Sequence, residues 1–185
     1  MLAALGDRKA TGPAARAIIQ SGRRFIFLCS HRKDCHDYNR IIFSKLFPVQ
    51  ASEERPPHPY PIYNIQPRTT NVTAELLAQH PDLRVWAAGR DGFHTLPHVT
   101  VGATVILETN LDLSIGAVNG ALGTVQAIHT RGSPGNVTSI TVRLWTSDRE
   151  VRVRRLTTSR TTRNGITLTR ATFPLALGYA ITGHL

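Results

Sequence analysis

The chain has 185 residues, and 22 Lys and Arg against 12 Asp and Glu give it a formal net charge of +10. Hydrophobic residues make up 41%, enough for a buried core, so wholesale disorder is excluded. A membrane-spanning helix would need a run of about 18 apolar residues, and none occurs; Cys29 and Cys35 alone cannot make a disulfide framework.

Met1 is followed by a short Leu-Ala stretch and then Asp7, Arg8 and Lys9, which lacks the order of a secretory signal and leads us to expect an intracellular, reducing setting. Gly12-Pro13 opens a predicted short helix, with Gly22 just past its end. Arg24 to Cys29 reads as a buried strand. Asp34 to Phe47 reads as a helix with Tyr38, Ile41, Ile42 and Leu46 on one face, stopped by Pro48. Helix, strand and helix in so short a span predict an α/β unit. From Ser52 to Arg68 come Pro56, Pro57, Pro59, Pro61 and Pro67, which predict a stiff connector without regular structure. Thr73 is placed to cap a short helix over Ala74 to Gln79.

From about Leu96 the periodicity changes to 2. Strands are predicted at Ala103–Glu108, Gly123–His129, Thr138–Trp145, Arg149–Leu156 and Thr167–Thr172. Turn signals separate them, among them Asn119-Gly120, Ser147-Asp148 and Asn164-Gly165. Five short strands with tight turns suggest a small barrel, which closes its own edges. Phe173 to Leu185 is apolar and fits strand or helix; the chain then stops without a polar tail, which suggests a truncated sequence.

Three of the 22 cations are lysine, leaving 19 arginines, and arginine's planar fork of donors suits phosphate oxygens and stacks on bases. Arg131 to Arg170 holds nine arginines against Asp148 and Glu150, a local excess of seven positive charges and a footprint for a polyanion. The bland alternative is a solvated basic face. In Glu150-Val151-Arg152-Val153-Arg154 the valines face a core and the charges face out. Arg152, Arg154 and the adjoining Arg155 are therefore the candidate phosphate contacts. Trp145 is a candidate for stacking on bases, with a place in the core equally open to it.

Cys29-x-His31-x3-Cys35-His36 packs four potential metal ligands together, but zinc sites use ligand pairs set apart by a spacer that folds back; buried cysteines and surface histidines fit better, and no metal is expected. Gly116-x3-Gly120-x2-Gly123 lacks the Gly-Lys-Ser/Thr ending of a phosphate loop, so its glycines are assigned to tight turns. No Gly-x4-Gly-Lys-Ser/Thr occurs anywhere, and no histidine stands in a recognisable nucleophile–base pattern, so no catalytic residue is assigned.

Three segments together resemble the Pif family of DNA helicases, including their Helitron-type copies. The densest runs from Val101 through Asn110, Leu111 and Asp112, and continues from Gly116 through Asn119, Gly120, Gly123 and Val125. It is similar to the family pattern G-x-x-V-x-L-x-x-N-x-D followed by G-x-x-N-G-x-x-G-x-V. The second, Phe27 to Asn39, resembles a strand and helix ending in an Asp-x-Asn signature at Asp37 and Asn39. The third pairs Phe173-Pro174-Leu175 with Thr182-Gly183-His184, where the family continues with lysine, any residue, glutamine and glycine, and Leu185 stands here instead.

The resemblance implies an α+β chain: a partial second RecA-like domain over residues 1–50, a Pro-rich connector over 51–95, an inserted small Src-homology-type β-barrel over 96–172, and a truncated return to the RecA-like domain over 173–185. It implies a fragment of an ATP-dependent helicase, without the phosphate loop, whose parent uses ATP and Mg and works on single-stranded or forked DNA with an N-terminal RecA-like domain absent here. Thr182 and His184 would lie in a motif that touches single-stranded DNA. Nuclear rather than mitochondrial location, and roles in repair, recombination and telomere maintenance, are what the family implies. The alternative is a stand-alone, non-enzymatic barrel module that binds nucleic acid or protein.

Overall fold

The computed structural model describes residues 2–4, 17, 21, 23–48, 58–80, 83, 86–87, 96–132, 135–162 and 165–182. The fold is mostly β with few helices. A parallel sheet places β1 (Leu2–Ala4) and β13 (Ala180–Thr182) on either side of β2 (Ile26–Cys29), with Leu2 opposite Ile26 and Ala180 opposite Phe27. Helix α1 (Arg32–Leu46) follows β2 and packs on this sheet, burying Cys35, Asn39, Ile42 and Phe43. That stripe has the i, i+4, i+7, i+8 spacing of one helical face. Gly12–Gly22 lies outside the described residues except for Ala17 and Ser21, joined by an i to i+4 backbone bond of 3.0 Å.

The largest sheet has five antiparallel strands in the order β12 (Leu175–Leu177), β6 (Thr104–Leu107), β7 (Leu122–Thr130), β8 (Val137–Leu144), β9 (Glu150–Arg154). Each strand from β6 to β9 pairs with the next along the chain, and β12 folds back beside β6. Alternation is clean on β9, where Val151 and Val153 are buried and Glu150, Arg152 and Arg154 exposed. No ladder joins β9 to β12 among the described residues, so hydrogen bonding leaves the sheet open.

A second, three-stranded sheet sets β11 (Thr167–Thr172) between β10 (Leu156–Thr161) and β4 (Arg68–Thr70). Helix α2 (Ala74–Gln79) begins where predicted, with Leu76 N–H donating to Thr73 Oγ1 at 3.2 Å. A two-stranded ladder joins β3 (Tyr63–Asn64) to β5 (His98–Val99).

Three expectations are corrected here. Thr167–Thr172 is a strand, but it belongs to the second sheet; the fifth strand of the large sheet is β12, from the stretch left open between strand and helix. The strand predicted over Arg149–Leu156 breaks at Arg155, and Leu156 begins β10, because the chain leaves one sheet for the other there. The proline-dense stretch carries β3 and the first residue of β4; β3 falls at Tyr63–Asn64, between Pro61 and Pro67, and β4 starts at Arg68, just past the last proline, where backbone N–H groups are present to pair.

One buried cluster runs from Phe27, Ile42 and Phe43 through Val105, Val125, Ile140, Val142 and Leu144 to Phe173 and Leu175. A smaller cluster of Leu83, Trp86 and Leu168 lies beside the second sheet, with Leu76 and Leu77 of α2 packed on it. Among the described residues no helix is long and apolar enough to cross a membrane.

Candidate nucleic-acid interface

Asn39 lies on the buried face of α1. Its Nδ2 donates to the Ala180 carbonyl at 2.8 Å, and its Oδ1 accepts from the Ala180 N–H at 2.9 Å. The amide pairs with the backbone of β13 as a neighbouring strand would, because both polar groups of a strand residue point to the same edge. That contact fixes the position of Thr182 two residues further on. Thr182 and Asn39 open onto a cleft of about 500 Å³, whose other side is built by Asn119 and Gly120, with His36 and Arg40 at its wall.

The loop that delivers Asn119 and Gly120 is held by its own polar groups. Asn110 Oδ1 accepts from Asn119 N–H at 2.8 Å. Asp112 Oδ1 accepts from the Ser114 N–H at 3.0 Å and from its hydroxyl at 2.6 Å, which caps a 3₁₀ turn at Leu113–Ile115 and holds the Asp112 carboxyl below its ordinary pKa. The turn ends at Gly116 with φ of 76°, and Gly120 has φ of 86°, both in the left-handed region that favours glycine. Gly123 serves close approach instead: a Cβ there would meet Val142 Cγ1 at 2.4 Å and the Arg143 carbonyl oxygen at 2.7 Å. The N–H groups of Gly116, Asn119, Gly120 and Ala121 are all bonded within this region, and the strand β7 follows. The loop therefore does not fit a nucleotide phosphate, which needs a row of free N–H donors at a helix start.

Arg152 and Arg154 project from β9, opposite Thr141 and Ser139. On the same face, Arg143 pairs with Glu150 at 3.0 Å, which raises its pKa further. Trp145, just past β8, is half-buried; its Nε1 donates to Thr124 Oγ1 at 2.9 Å, and the Arg24 guanidinium lies 5.5 Å from its ring centroid. Arg155 is set apart from Arg152 and Arg154. It is partly buried, its Nη1 donates to the Gln66 and Ala171 carbonyls at 2.9 and 3.1 Å, and its guanidinium covers the Phe173 ring at 4.6 Å.

The structure thus brings Asn39, Asn119, Gly120 and Thr182 to one cleft, with Asn110, Asp112, Gly116 and Gly123 shaping the loop and strand behind it. Arg152, Arg154 and Trp145 lie on the outer face of the large sheet, and His184 is outside the described residues. Cys35 also lines the cleft. Burial and the neighbouring Cys29 push its thiol up to about 12, so it keeps its proton at neutral pH. Arg24, Arg68 and the Trp86 cluster carried no sequence signal: Arg24 borders a strand, Arg68 sits among prolines, and Trp86 lies outside the motifs.

No protein-family model and no curated protein matches this chain. Solved structures do. Pif1 helicase from Candida albicans superposes with a TM-score of 0.56 at 19% identity, over 95% of this chain and 41% of that one. Bacteroides Pif1 in complex with ADP-AlF3 and single-stranded DNA gives 0.53 at 22% identity, over 95% and 33%.

The fold is that of Pif1 helicases.

Bacteroides Pif1 bound to single-stranded DNA agrees, with a TM-score of 0.51 at 23% identity over 95% of this chain and 33% of that one. The chain spans between a third and a half of the length of these Pif1 structures. The likeness covers nearly all of the present sequence.

Proposed function

We propose that this chain is the nucleic-acid-gripping portion of a Pif-like, ATP-dependent DNA helicase whose phosphate loop and magnesium-binding acids are carried elsewhere. The observation that carries the reading is the cleft: Asn39, Asn119, Gly120 and Thr182 come from three separate motifs and meet in one place. Solved Pif1 structures of this fold hold single-stranded DNA. In this reading the large sheet is the inserted small barrel, Arg152 and Arg154 meet phosphates from its outer face, and Thr182 and His184 touch the strand. The chain's own glycine loop does not fit a nucleotide, so ATP and Mg belong to the rest of the motor. Nuclear location, and roles in repair, recombination or telomere maintenance, are proposed on the resemblance alone.

The stand-alone barrel module is the weaker reading. The fifth strand of the sheet, β12, lies at Leu175–Leu177, and the core runs without a break into α1. The experiment is fluorescence anisotropy of a labelled oligothymidine with the 185-residue chain across a salt series. Binding whose log K falls linearly with log salt supports the reading. Absent binding, or a flat salt response, sinks it.

A further inference from the structure

At the opposite end of β7 from the motif cleft, a cavity of about 480 Å³ lies between the β3–β4 segment and the β7–β8 turn. Asn64, Gln66 and Arg68 form one wall; Asn136 and Arg155 form the other. Its described lining holds no carboxylate. Arg68 Nη2 donates to Asn136 Oδ1, and to the Val137 carbonyl at 3.4 Å. Arg155 spends Nη1 on the Gln66 and Ala171 carbonyls, while its Nε–H is buried without a hydrogen-bond partner. Burial first, and then the charge of Arg68, lower the Arg155 pKa to about 10. Two guanidinium groups therefore line one pocket, and their hydrogen-bond partners among the described residues are neutral oxygens. A fold that holds two like charges together with no carboxylate between them is destabilised, and an oxyanion between them relieves the repulsion. Planar forks and amide side chains around a pocket of this size suit the oxygens of a phosphate group.

We infer that this cavity is a phosphate-binding site, held by Arg68 and Arg155, that takes a backbone phosphate of the bound nucleic-acid strand. The inference rests on the nucleic-acid reading above and adds a contact remote from the motif cleft. Free phosphate offers the same oxygens, so the test separates the two sources.

The first arm records arginine Nε–H resonances of the 185-residue chain during titration with inorganic phosphate, against chloride at equal ionic strength. A saturable shift at Arg155 that disappears in Arg68→Gln is expected. Arg68 is exposed, so this variant leaves the core intact, and an unchanged unfolding midpoint verifies it. No saturable shift, or the same shift in R68Q, overturns the site. The second arm measures oligothymidine binding. R68Q is expected to weaken it about tenfold and to lower the salt slope by about 0.7, the loss of one single-strand phosphate contact. Wild-type affinity and slope in R68Q, with the phosphate shift present in the native chain, overturn the backbone assignment and leave the grip reading standing. A native chain that shows the phosphate shift but binds no DNA overturns both, and identifies the ligand as free phosphate.

Discussion

In the five-stranded sheet the inward side chains are aliphatic from strand to strand: Val105 and Leu107, Val125, Ile140, Val142 and Leu144, Val153, Leu175. In the β10–β11–β4 sheet the inward row of β11 reads Leu168, Arg170, Thr172, and its small cluster adds the buried Leu83 and Trp86, with Val72, Leu76, Leu77 and Ala87 partly buried against it. Arg170 is 2% exposed; it donates to the Trp86 carbonyl and lies 5.1 Å from the Trp86 ring centroid, with Arg160 also over that ring at 5.8 Å. One sheet is held by apolar area, the other by a charged side chain that an indole and a carbonyl make tolerable in the interior. A change of the same size should therefore cost more in the first than in the second.

Ile140→Ala and Leu168→Ala test this directly, since both side chains are fully buried. Ile140→Ala is expected to cost about 2–5 kcal/mol, near the top of that range, because strands on both sides hold the cavity open. Leu168→Ala should fall near the bottom, since α2 can settle onto the gap. Urea unfolding of both variants gives the order, and a larger loss for Leu168→Ala reverses the comparison.

Gly123→Ala sharpens it within the large sheet. The added methyl would press on Val142 and on the Arg143 carbonyl, and that backbone oxygen cannot move without disturbing the ladder. A loss of about 1–3 kcal/mol is expected from overpacking. An unchanged midpoint shows that β7 and β8 are further apart than described.

Arg170→Met probes the other sheet. Methionine fills comparable volume but leaves the Trp86 carbonyl without its donor, for an expected loss of about 1–3 kcal/mol. Hydrogen exchange should localise the loosening to β10 and β11 and leave β6 to β9 protected. Uniform loosening means that the sheets unfold together.

The same contrast explains what could be read from the sequence. Val151 and Val153 alternate with Glu150, Arg152 and Arg154, and a pattern of period 2 is visible in one dimension. So were the Thr73 cap and the glycine turns, which are local chemistry. Arg170 falls among the nine arginines of the basic stretch, and nothing near it in sequence announces the indole of Trp86, 84 positions away. The fifth strand stays open between strand and helix in the sequence for the same reason: Leu175–Leu177 is three residues of apolar chain, and β6 across the ladder makes it a strand. In the candidate site, Asn39, Asn119 and Thr182 were named singly from their motifs. Their meeting depends on the Asn39 amide reaching the β13 edge, a contact across 141 positions. Arg68 and the pocket it shares with Arg155 depend on two loops folding together and left no mark in either.

The smallest effect belongs to the helix that roofs the second sheet. Helix α2 has six residues and none fully buried, so its first turn matters more than its packing. Thr73→Ala removes the acceptor for the Leu76 N–H and should cost about 1 kcal/mol, read as faster hydrogen exchange over Ala74–Gln79. A pH series refines the prediction. The Glu75 carboxyl lies below its ordinary value because it accepts from its own N–H and then from the Thr73 hydroxyl. A carboxyl lowered on folding adds stability above its unfolded pKa, about 4.3, and that share is lost as pH falls through the folded value. Thr73→Ala deletes the hydroxyl part of it at neutral pH. The gap between native chain and variant should therefore narrow in acid, leaving only the Leu76 cap; a gap that stays constant with pH would show that Glu75 takes no part in holding the helix start.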